Sequence, residues 1–149
     1  MSIGEFCNRI VVIAERDTTV QEAALLMRRH HVGSIVVSEV KDGVRKPVGI
    51  VTDRDVVIEV VCNALDPKTL RLGEIMTENL AAVRERDGVF ETLQLMRSRG
   101  IRRAPVIGAA GELIGIIAAD DLTQLLSEAM ADLSKLIARE QQCEASARK

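Results

Sequence analysis

The stretch Gly49-Ile50-Val51-Thr52-Asp53-Arg54-Asp55 recurs in altered form as Gly115-Ile116-Ile117-Ala118-Ala119-Asp120-Asp121. In both, an aliphatic run typical of a buried strand leads directly into carboxylates, which are typical of the first turn of a helix. Upstream of these stretches, Leu26-Met27-Arg28 matches Leu95-Met96-Arg97. The chain therefore contains one internal duplication, and a cleft between two such repeats is a natural place for a small ligand.

Both repeats have the same order of predicted elements. In the first, Thr19 stands three residues before Glu22, the spacing of a helix capping box; in the second, Asp87 is the expected N-cap and Gly100 the expected stop. The order β-α-β-β-α, found twice, predicts an α+β fold whose repeats are related by pseudo-two-fold symmetry, with small mixed sheets covered by helices. The predicted elements are turn 3–6, strand 10–13, strands 34–38 and 47–52 around loop 39–43, and helix 54–62, then turn 72–76, strand 80–83, strands 104–107 and 113–118, and a helix from 120.

The segment Asp66-Pro67-Lys68 is the predicted linker, which gives a first repeat at 1–65, a second at 66–127 and an extension at 128–149. In the last helix an apolar stripe runs to about Arg139, and a polar, frayed tail is expected at 142–149. This stripe either packs on the sheet of its own repeat or extends beyond it to pack against another subunit. The stripe consists of Leu122, Leu125, Leu126, Ala129, Leu133, Leu136 and Ile137.

The composition excludes several classes of function. Of 149 residues, 47% are hydrophobic, but the aromatic residues are only two Phe. Few rings and a net charge of −2 disfavour nucleic-acid binding, since neither a stacking platform nor a positive field is available. Charges interrupt every apolar segment and no signal peptide is recognisable, so we expect no membrane contact. An odd number of widely spaced cysteines favours reduced thiols and a cytoplasmic location.

The chemistry expected at the first copy of the signature is phosphate and ribose binding. Thr52 can donate to a phosphate, Arg54 can neutralise it, and Asp55 can accept both hydroxyls of a ribose. The alternative is that Thr52 or Asp53 merely caps the helix, with Arg54 and Asp55 solvated. In the second copy Ala118 replaces the threonine, so a site there lacks one phosphate donor.

A second source of charge is the pair Arg102-Arg103 at the start of a predicted strand. Neighbouring strand residues face opposite sides, so at most one arginine points inward, beside Ala104. An arginine in a cleft requires an anion, whereas the alternative is that both lie on the surface. The equivalent segment of the first repeat, Val32-Gly33-Ser34, carries no charge. The sequence therefore predicts one good composite site and one poor one.

Metal binding and catalysis are not expected. The adjacent His30 and His31 cannot share a helix face, and with Cys7 and Cys62 they lack the spacing of metal ligands. No glycine-rich phosphate loop, nucleophile elbow or catalytic constellation is present, so we expect no enzyme and no catalytic cofactor.

Both repeats resemble CBS motifs, and about residues 3 to 127 resemble a tandem CBS pair, or Bateman module. The resemblance is carried by a glycine, two aliphatic residues, Thr or Ser, two further residues and Asp, following a strand of the Pro-Val type, in duplicate. It implies a stand-alone cytoplasmic regulatory module, often a homodimer, which signals to an unknown effector protein. The implied ligands are AMP, ADP or ATP, with NAD and S-adenosylmethionine as further candidates.

The resemblance also implies site residues, because in this family the Thr/Ser and Asp of one repeat grip the ligand together with two strands of the other. The departures at Ala118 and at Gly33-Ser34 weaken the second site. The expected function is sensing an adenosine-containing nucleotide by a conformational or oligomeric change. The alternative is a structural or adaptor homodimer with vestigial sites. The main site comprises Thr52, Arg54, Asp55, Thr77, Ala82, Ile101, Arg102 and Arg103, and the second Asn8, Ile13, Val32, Gly33, Ser34 and Asp121.

Overall fold

The computed structural model describes residues 1–148 and contains two three-stranded sheets. In each sheet the first strand pairs in parallel with the second, which pairs antiparallel with the third, so the predicted α+β fold of two repeats is confirmed. The first repeat contains a 3-10 turn (Ile3–Glu5), β1 (Ile13–Ala14), α1 (Val20–His30), β2 (Ser34–Lys41), β3 (Val44–Thr52), α2 (Asp53–Asp55) and a π-helical continuation (Val56–Val61). The second contains α3 (Leu72–Ile75), β4 (Val83–Arg84), α4 (Val89–Arg99), β5 (Arg103–Ile107), β6 (Leu113–Ala118) and α5 (Ala119–Ala147).

The hairpin of the first repeat is tighter than predicted. The expected loop 39–43 is mostly strand, and β2 and β3 are joined only by Asp42 and Gly43, whose φ angles are 53° and 74°. Two consecutive positive φ angles are typical of the two-residue turn whose twist matches the flanking strands. The exposed residues Glu39, Val40 and Lys41 extend the ladder beyond the core, where a strand does not need apolar side chains.

The opening strands are shorter than predicted. β1 and β4 each contain two residues in place of the expected four, and Ile10 is exposed. The backbone just before β1 is held elsewhere, because the N–H of Asn8 donates to the carbonyl of Ile116 at 2.9 Å. This contact with the third strand of the other repeat prevents an earlier start of β1.

The helix starts follow the predicted chemistry in one repeat only. The N–H of Thr19 donates to Glu22 at 2.8 Å and the N–H of Glu22 donates to the Thr19 hydroxyl at 3.2 Å, as the capping box predicts. The N–H of Thr19, and after it the Thr19 hydroxyl at 2.9 Å, donate to the Glu22 carboxylate and lower its pKa. The prediction of Asp87 as N-cap was wrong: Gly88 holds that position, and the Asp87 carboxylate accepts the N–H of Arg84.

The ends of α1 and α4 are equivalent in backbone but not in sequence. Gly100 ends α4 in the left-handed region at φ 63°, which confirms the predicted stop. His31 occupies the corresponding place after α1 at φ 53°. A side chain is strained in this conformation and glycine is not, so only the second repeat has the favoured residue.

The opening turn of each repeat packs into the core of the other. Ile3 and Cys7 belong to the second core, whereas Leu72 and Met76 belong to the first. The N–H of Ile3 donates to the Asp87 carbonyl at 2.9 Å, and the N–H of Leu72 donates to the Thr18 carbonyl at 2.9 Å. These matching contacts lock the repeats about the pseudo-two-fold axis.

This exchange explains the glycine that begins each copy of the signature. A methyl group added at Gly49 would lie 2.5 Å from the Met76 sulfur. One added at Gly115 would lie 2.7 Å from the Cys7 sulfur and 2.9 Å from the Asn8 carbonyl oxygen. The opening segment of one repeat therefore passes too close to β3 or β6 of the other to leave room for a side chain.

Helix α5 is longer than predicted and partly uncovered. It continues to Ala147, so the expected fraying from residue 142 was wrong, although Lys149 lies outside the described residues. Leu122 is buried and Leu125 half-buried, but the apolar stripe beyond them is exposed, which contradicts packing on its own sheet. The exposed fractions are 64% for Met130, 53% for Leu133, 62% for Leu136 and 49% for Ile137. Within residues 1–148 no helix has the length and hydropathy to cross a membrane.

Candidate functional site

A cleft of about 410 Å³ lies between the repeats, where the end of β3 meets the start of β5. Most of the residues predicted for the main site line it. Ala82 does not line it, because the lining segment ends one position earlier, at Ala81. This segment, residues 79–81, overlaps the start of the predicted strand 80–83. The lining consists of Ile50, Thr52, Asp53, Arg54, Asp55, Thr77, Asn79, Leu80, Ala81, Gly100, Ile101, Arg102 and Arg103.

Thr52 and Asp55 form one wall of this cleft and are held by each other. The N–H of Thr52 donates to Oδ2 of Asp55 at 2.8 Å, and the N–H of Asp55 donates to the Thr52 hydroxyl at 3.2 Å. Thr52 therefore does cap α2, but its hydroxyl keeps its own hydrogen for donation. Asp55 is half-buried and Oδ1 has no hydrogen-bond donor among residues 1–148, so this oxygen can accept a ligand hydroxyl.

The two adjacent arginines differ, as expected for neighbours on a strand. Arg102 is largely exposed, and its Nη2 lies 3.2 Å from Oδ1 of the equally exposed Asp120. Arg103 is half-buried and forms no ion pair with any residue from 1 to 148. Its guanidinium is therefore the cation of this cleft that is best placed for a ligand anion.

Arg103 also reaches the boundary with a second cleft. Its Nη2 lies 3.6 Å from the point that a methyl group on Gly33 would occupy, and Oδ2 of Asp53 lies 3.1 Å from the same point. The absence of a side chain at Gly33 leaves room for both groups. The N–H of Asp53 donates to the Gly33 carbonyl at 3.0 Å, which joins β2 to the start of α2 at this boundary.

The second cleft measures about 250 Å³ and is related to the first by the pseudo-two-fold axis. The segment Val32-Gly33-Ser34 brings no charge to it, as its sequence indicates, but Arg103 of the other repeat lines both clefts. Ile13 does not line it, since it pairs with Val36 within the first sheet. The lining consists of Asn8, Ile10, Val11, Val12, His31, Val32, Gly33, Ser34, Arg103, Ile116, Ala118 and Asp121.

The second cleft repeats half of the Thr52–Asp55 arrangement. The N–H of Ala118 donates to Oδ2 of Asp121 at 2.8 Å, but Ala118 has no hydroxyl. The side-chain oxygen of Asn8 already accepts the N–H of Ile10 at 2.9 Å. The second cleft therefore lacks the hydroxyl that Thr52 supplies to the first, and one of its acceptor oxygens is already occupied.

The cysteines and histidines do not build a further site. Cys7 is buried beneath Gly115, and burial raises the pKa of its thiol, whereas Cys62 and Cys143 are exposed. Among residues 1–148 no group of three or more His, Cys, Asp or Glu side chains could hold a metal ion.

Known proteins share this sequence pattern. The CBS domain family profile matches residues 3–61 and 72–128. The chain is 38% identical over 125 residues to an uncharacterized protein of Methanopyrus kandleri, covering 84% of this chain and 62% of that protein. It is 36% identical over 121 residues to the CBS domain-containing protein YhcV of Bacillus subtilis, covering 81% of this chain and 82% of that one.

Solved structures share the fold. A hexameric CBS-CP12 protein from bloom-forming cyanobacteria is 32% identical, with a TM-score of 0.73, and the alignment covers 83% of this chain and 69% of that one. The CBS domain pair of the protein MJ0100, solved with 5'-methylthioadenosine and S-adenosyl-L-methionine, is similar in fold at 22% identity and a TM-score of 0.72, covering 85% and 99%. The chain therefore belongs to the CBS domain family, as a tandem pair of CBS domains.

Proposed function

We propose that this protein is a regulatory module that binds an adenosine-containing nucleotide between its two CBS domains and is not an enzyme. The observation that carries the proposal is the first cleft, where the free groups of Thr52 and Asp55 face the unpaired Arg103 of the other domain. A hydroxyl donor, a carboxylate acceptor and a guanidinium within one apolar-walled cleft match the hydroxyls and phosphate of a nucleotide.

Each group has a role in this proposal. Asp55 accepts the ribose hydroxyls through Oδ1, Thr52 donates to a phosphate oxygen, and Arg103 neutralises the phosphate. The side chains of Ile50 and Ile101 provide apolar surface for the base. Arg54 and Arg102 are more exposed and add positive charge at the entrance. The smaller second cleft binds the same ligand class more weakly, since Ala118 offers no hydroxyl.

The first candidates for the ligand are AMP, ADP and ATP, and the second candidates are NAD and S-adenosylmethionine. The complex of MJ0100 with adenosine-containing ligands supports only the capacity of the fold for such molecules. Ligand bridges the two domains and shifts their relative orientation or the association of subunits, by a coupling free energy of about 1–3 kcal/mol. The signal then passes to an effector protein in the cytoplasm.

The test is isothermal titration of the purified protein with AMP, ADP, ATP, NAD and S-adenosylmethionine in turn. We expect saturable binding near one site per chain for at least one ligand, weakened about tenfold or more in Asp55→Asn and retained in the matched variant Asp121→Asn. Chromatography of the nucleotide after long incubation should show it unchanged. Hydrolysis would overturn the non-enzymatic proposal. Absence of binding to all five would favour an adaptor homodimer.

A further inference from the structure

The exposed end of α5 carries a regular apolar pattern. Leu126, Ala129, Leu133, Leu136 and Cys143 follow one another at intervals of three, four, three and seven residues. This is the spacing of the seam of a two-helix coiled coil, in which positions a and d alternate. We call these residues, together with the flanking Met130 and Ile137, the α5 seam. They lie beyond Leu125, the last residue of α5 that packs on the second core.

We propose that the α5 seam is covered by the α5 seam of a second copy of this chain, with the two helices antiparallel. This inference goes beyond nucleotide binding and does not depend on it. A helix is the partner indicated by a heptad pattern, and a two-fold symmetric pair places the same surface on both sides.

The apolar layers follow from the pattern. In an antiparallel pair, a positions face d positions, so Leu133 faces Leu136 of the partner subunit and the reverse contact repeats it. One heptad further, Leu126 faces Cys143 of the partner subunit. The symmetry axis then passes between residues 134 and 135. Each helix thus contributes its exposed leucines to the centre of the contact.

The flanking residues fit this register. On one side Met130 lies beside Ile137 of the partner subunit, so two exposed apolar side chains are covered together. On the other side Asp132 lies beside Arg139 of the partner subunit, and symmetry forms this opposite-charge pair twice. Asp132 already contacts Lys135 on its own helix at 3.2 Å, an exposed pair that leaves its other oxygen accessible.

Charge also decides between the two possible directions. In a parallel pair Glu140, which occupies an a position, would face Glu140 of the partner subunit inside the seam, and Asp132 would lie beside an isoleucine. Like charges facing each other in a seam oppose association. In the antiparallel pair Glu140 instead faces Ala129, a small side chain that leaves its carboxylate accessible to water.

An apolar groove continues the seam at its inner end. This groove, of about 470 Å³, is lined by Met1, Val89, Phe90 and the α5 residues Leu125, Leu126 and Ala129, together with Gly88 and Glu91. Phe90 is 72% exposed although it is one of only two aromatic residues. In the antiparallel register residues 140–147 of the second helix pass along this groove. Their Cys143 and Ala147 are small enough to pack against the ring.

The first test is the molar mass of the full chain by light scattering without nucleotide. We expect a dimer or an even-numbered larger assembly, reduced to half its mass by Leu133→Glu. The matched control Ala138→Glu introduces the same charge on the outer face of the same helix and should leave the mass unchanged. Circular dichroism checks that both variants fold. A monomeric wild type, or a mass that Leu133→Glu does not change, would overturn the proposal.

The second test determines direction by disulfide formation in a Cys62→Ser background, since Cys7 is buried. The antiparallel pair keeps the two Cys143 thiols apart, so we expect no covalent dimer after mild oxidation. Adding Leu126→Cys places a thiol opposite Cys143 of the partner subunit, and a covalent dimer should then appear on a non-reducing gel. A covalent dimer formed by Cys143 alone would overturn the antiparallel arrangement in favour of a parallel one.

Discussion

Thr52 and Asp55 hold each other through two reciprocal hydrogen bonds, of 2.8 and 3.2 Å, at the edge of the larger cleft. Asp121 makes the first of these contacts with Ala118, at 2.8 Å, but the second is absent because alanine has no hydroxyl. One residue difference therefore changes both the start of a helix and the chemistry that faces a ligand. The two repeats serve as matched controls for each other.

The first prediction concerns stability. Thr52→Ala should lower the free energy of unfolding by about 1 kcal/mol, because the N–H of Asp55 loses its acceptor. Ala118→Thr should raise the free energy of unfolding by a smaller amount, since it completes the equivalent pair with Asp121. Urea unfolding monitored by circular dichroism measures both changes. A loss of stability in Ala118→Thr would show that the second site cannot accommodate the reciprocal pair.

The second prediction concerns the ribose contact. Asp55→Asn should raise the nucleotide Kd about tenfold or more, since a hydrogen bond to a charged group contributes roughly 1.5–3 kcal/mol. An asparagine oxygen can still accept the N–H of Thr52, so the fold should persist. Asp121→Asn, the equivalent change, should alter Kd for the first cleft less than threefold. Equal effects on titration would contradict the proposed asymmetry of the clefts.

The third prediction concerns the arginines. Arg103→Ala should reduce the preference for AMP over adenosine about tenfold or more, because it removes the half-buried guanidinium nearest the phosphate. Since Arg103 lines both clefts, the loss should extend to any second binding event. Arg102→Ala is the control, because that side chain is exposed and paired with Asp120. Competition titrations at two salt concentrations would separate a direct contact with the phosphate from long-range electrostatic attraction, which salt screens. A larger effect of Arg102→Ala would mean that Arg102, and not Arg103, contacts the phosphate.

The fourth prediction concerns the signature glycines. Gly115→Ala should lower the free energy of unfolding by about 1–3 kcal/mol, because the new methyl group would meet the backbone oxygen of Asn8 at 2.9 Å. Gly49→Ala should lower it less, since the nearest atom is the flexible Met76 sulfur. Thermal unfolding of the two variants in parallel provides the comparison. A larger loss of stability in Gly49→Ala than in Gly115→Ala would mean that the backbone at Asn8 moves aside more easily than the Met76 side chain.

The fifth prediction concerns thiol reactivity. Burial raises the pKa of the Cys7 thiol, so its thiolate fraction, and with it its alkylation rate, stays low until the pH is well above neutral. Cys62 and Cys143 are exposed and should be labelled first. Mass spectrometry of the native protein after brief treatment with iodoacetamide would assign the order. Labelling of Cys7 as fast as that of the other two would mean that the opening turn detaches readily from the second core.

Most of the fold could be predicted because its signals are local. Thr19 and Glu22 cap α1 through contacts three residues apart, and Gly100 ends α4 through its own backbone freedom. Of the two main failures, one has a local cause and the other involves a contact that is distant in sequence. Asp87 has the chemistry of an N-cap but accepts the N–H of Arg84, and β1 starts late because Asn8 is held by Ile116 of the other repeat.

The candidate site was predictable to a similar degree. Thr52, Asp55 and the arginines could be identified because they place hydroxyl, carboxylate and guanidinium groups at the ends of apolar strands. The lining run at 79–81 carried no such signal, and neither did the sharing of Arg103 by both clefts. That sharing depends on the empty space at Gly33, which only neighbours in three dimensions define.

The sequence by itself determined the duplication, the order of elements and the chemical asymmetry between Thr52 and Ala118, since these follow from residue identity and from short-range periodicity. The tertiary structure decided which repeat each opening turn joins, which arginine faces the clefts and where α5 leaves its core at Leu125. These features depend on long-range packing: the core of each repeat is completed by residues from the other, and a helix continues past its core when nothing local ends it.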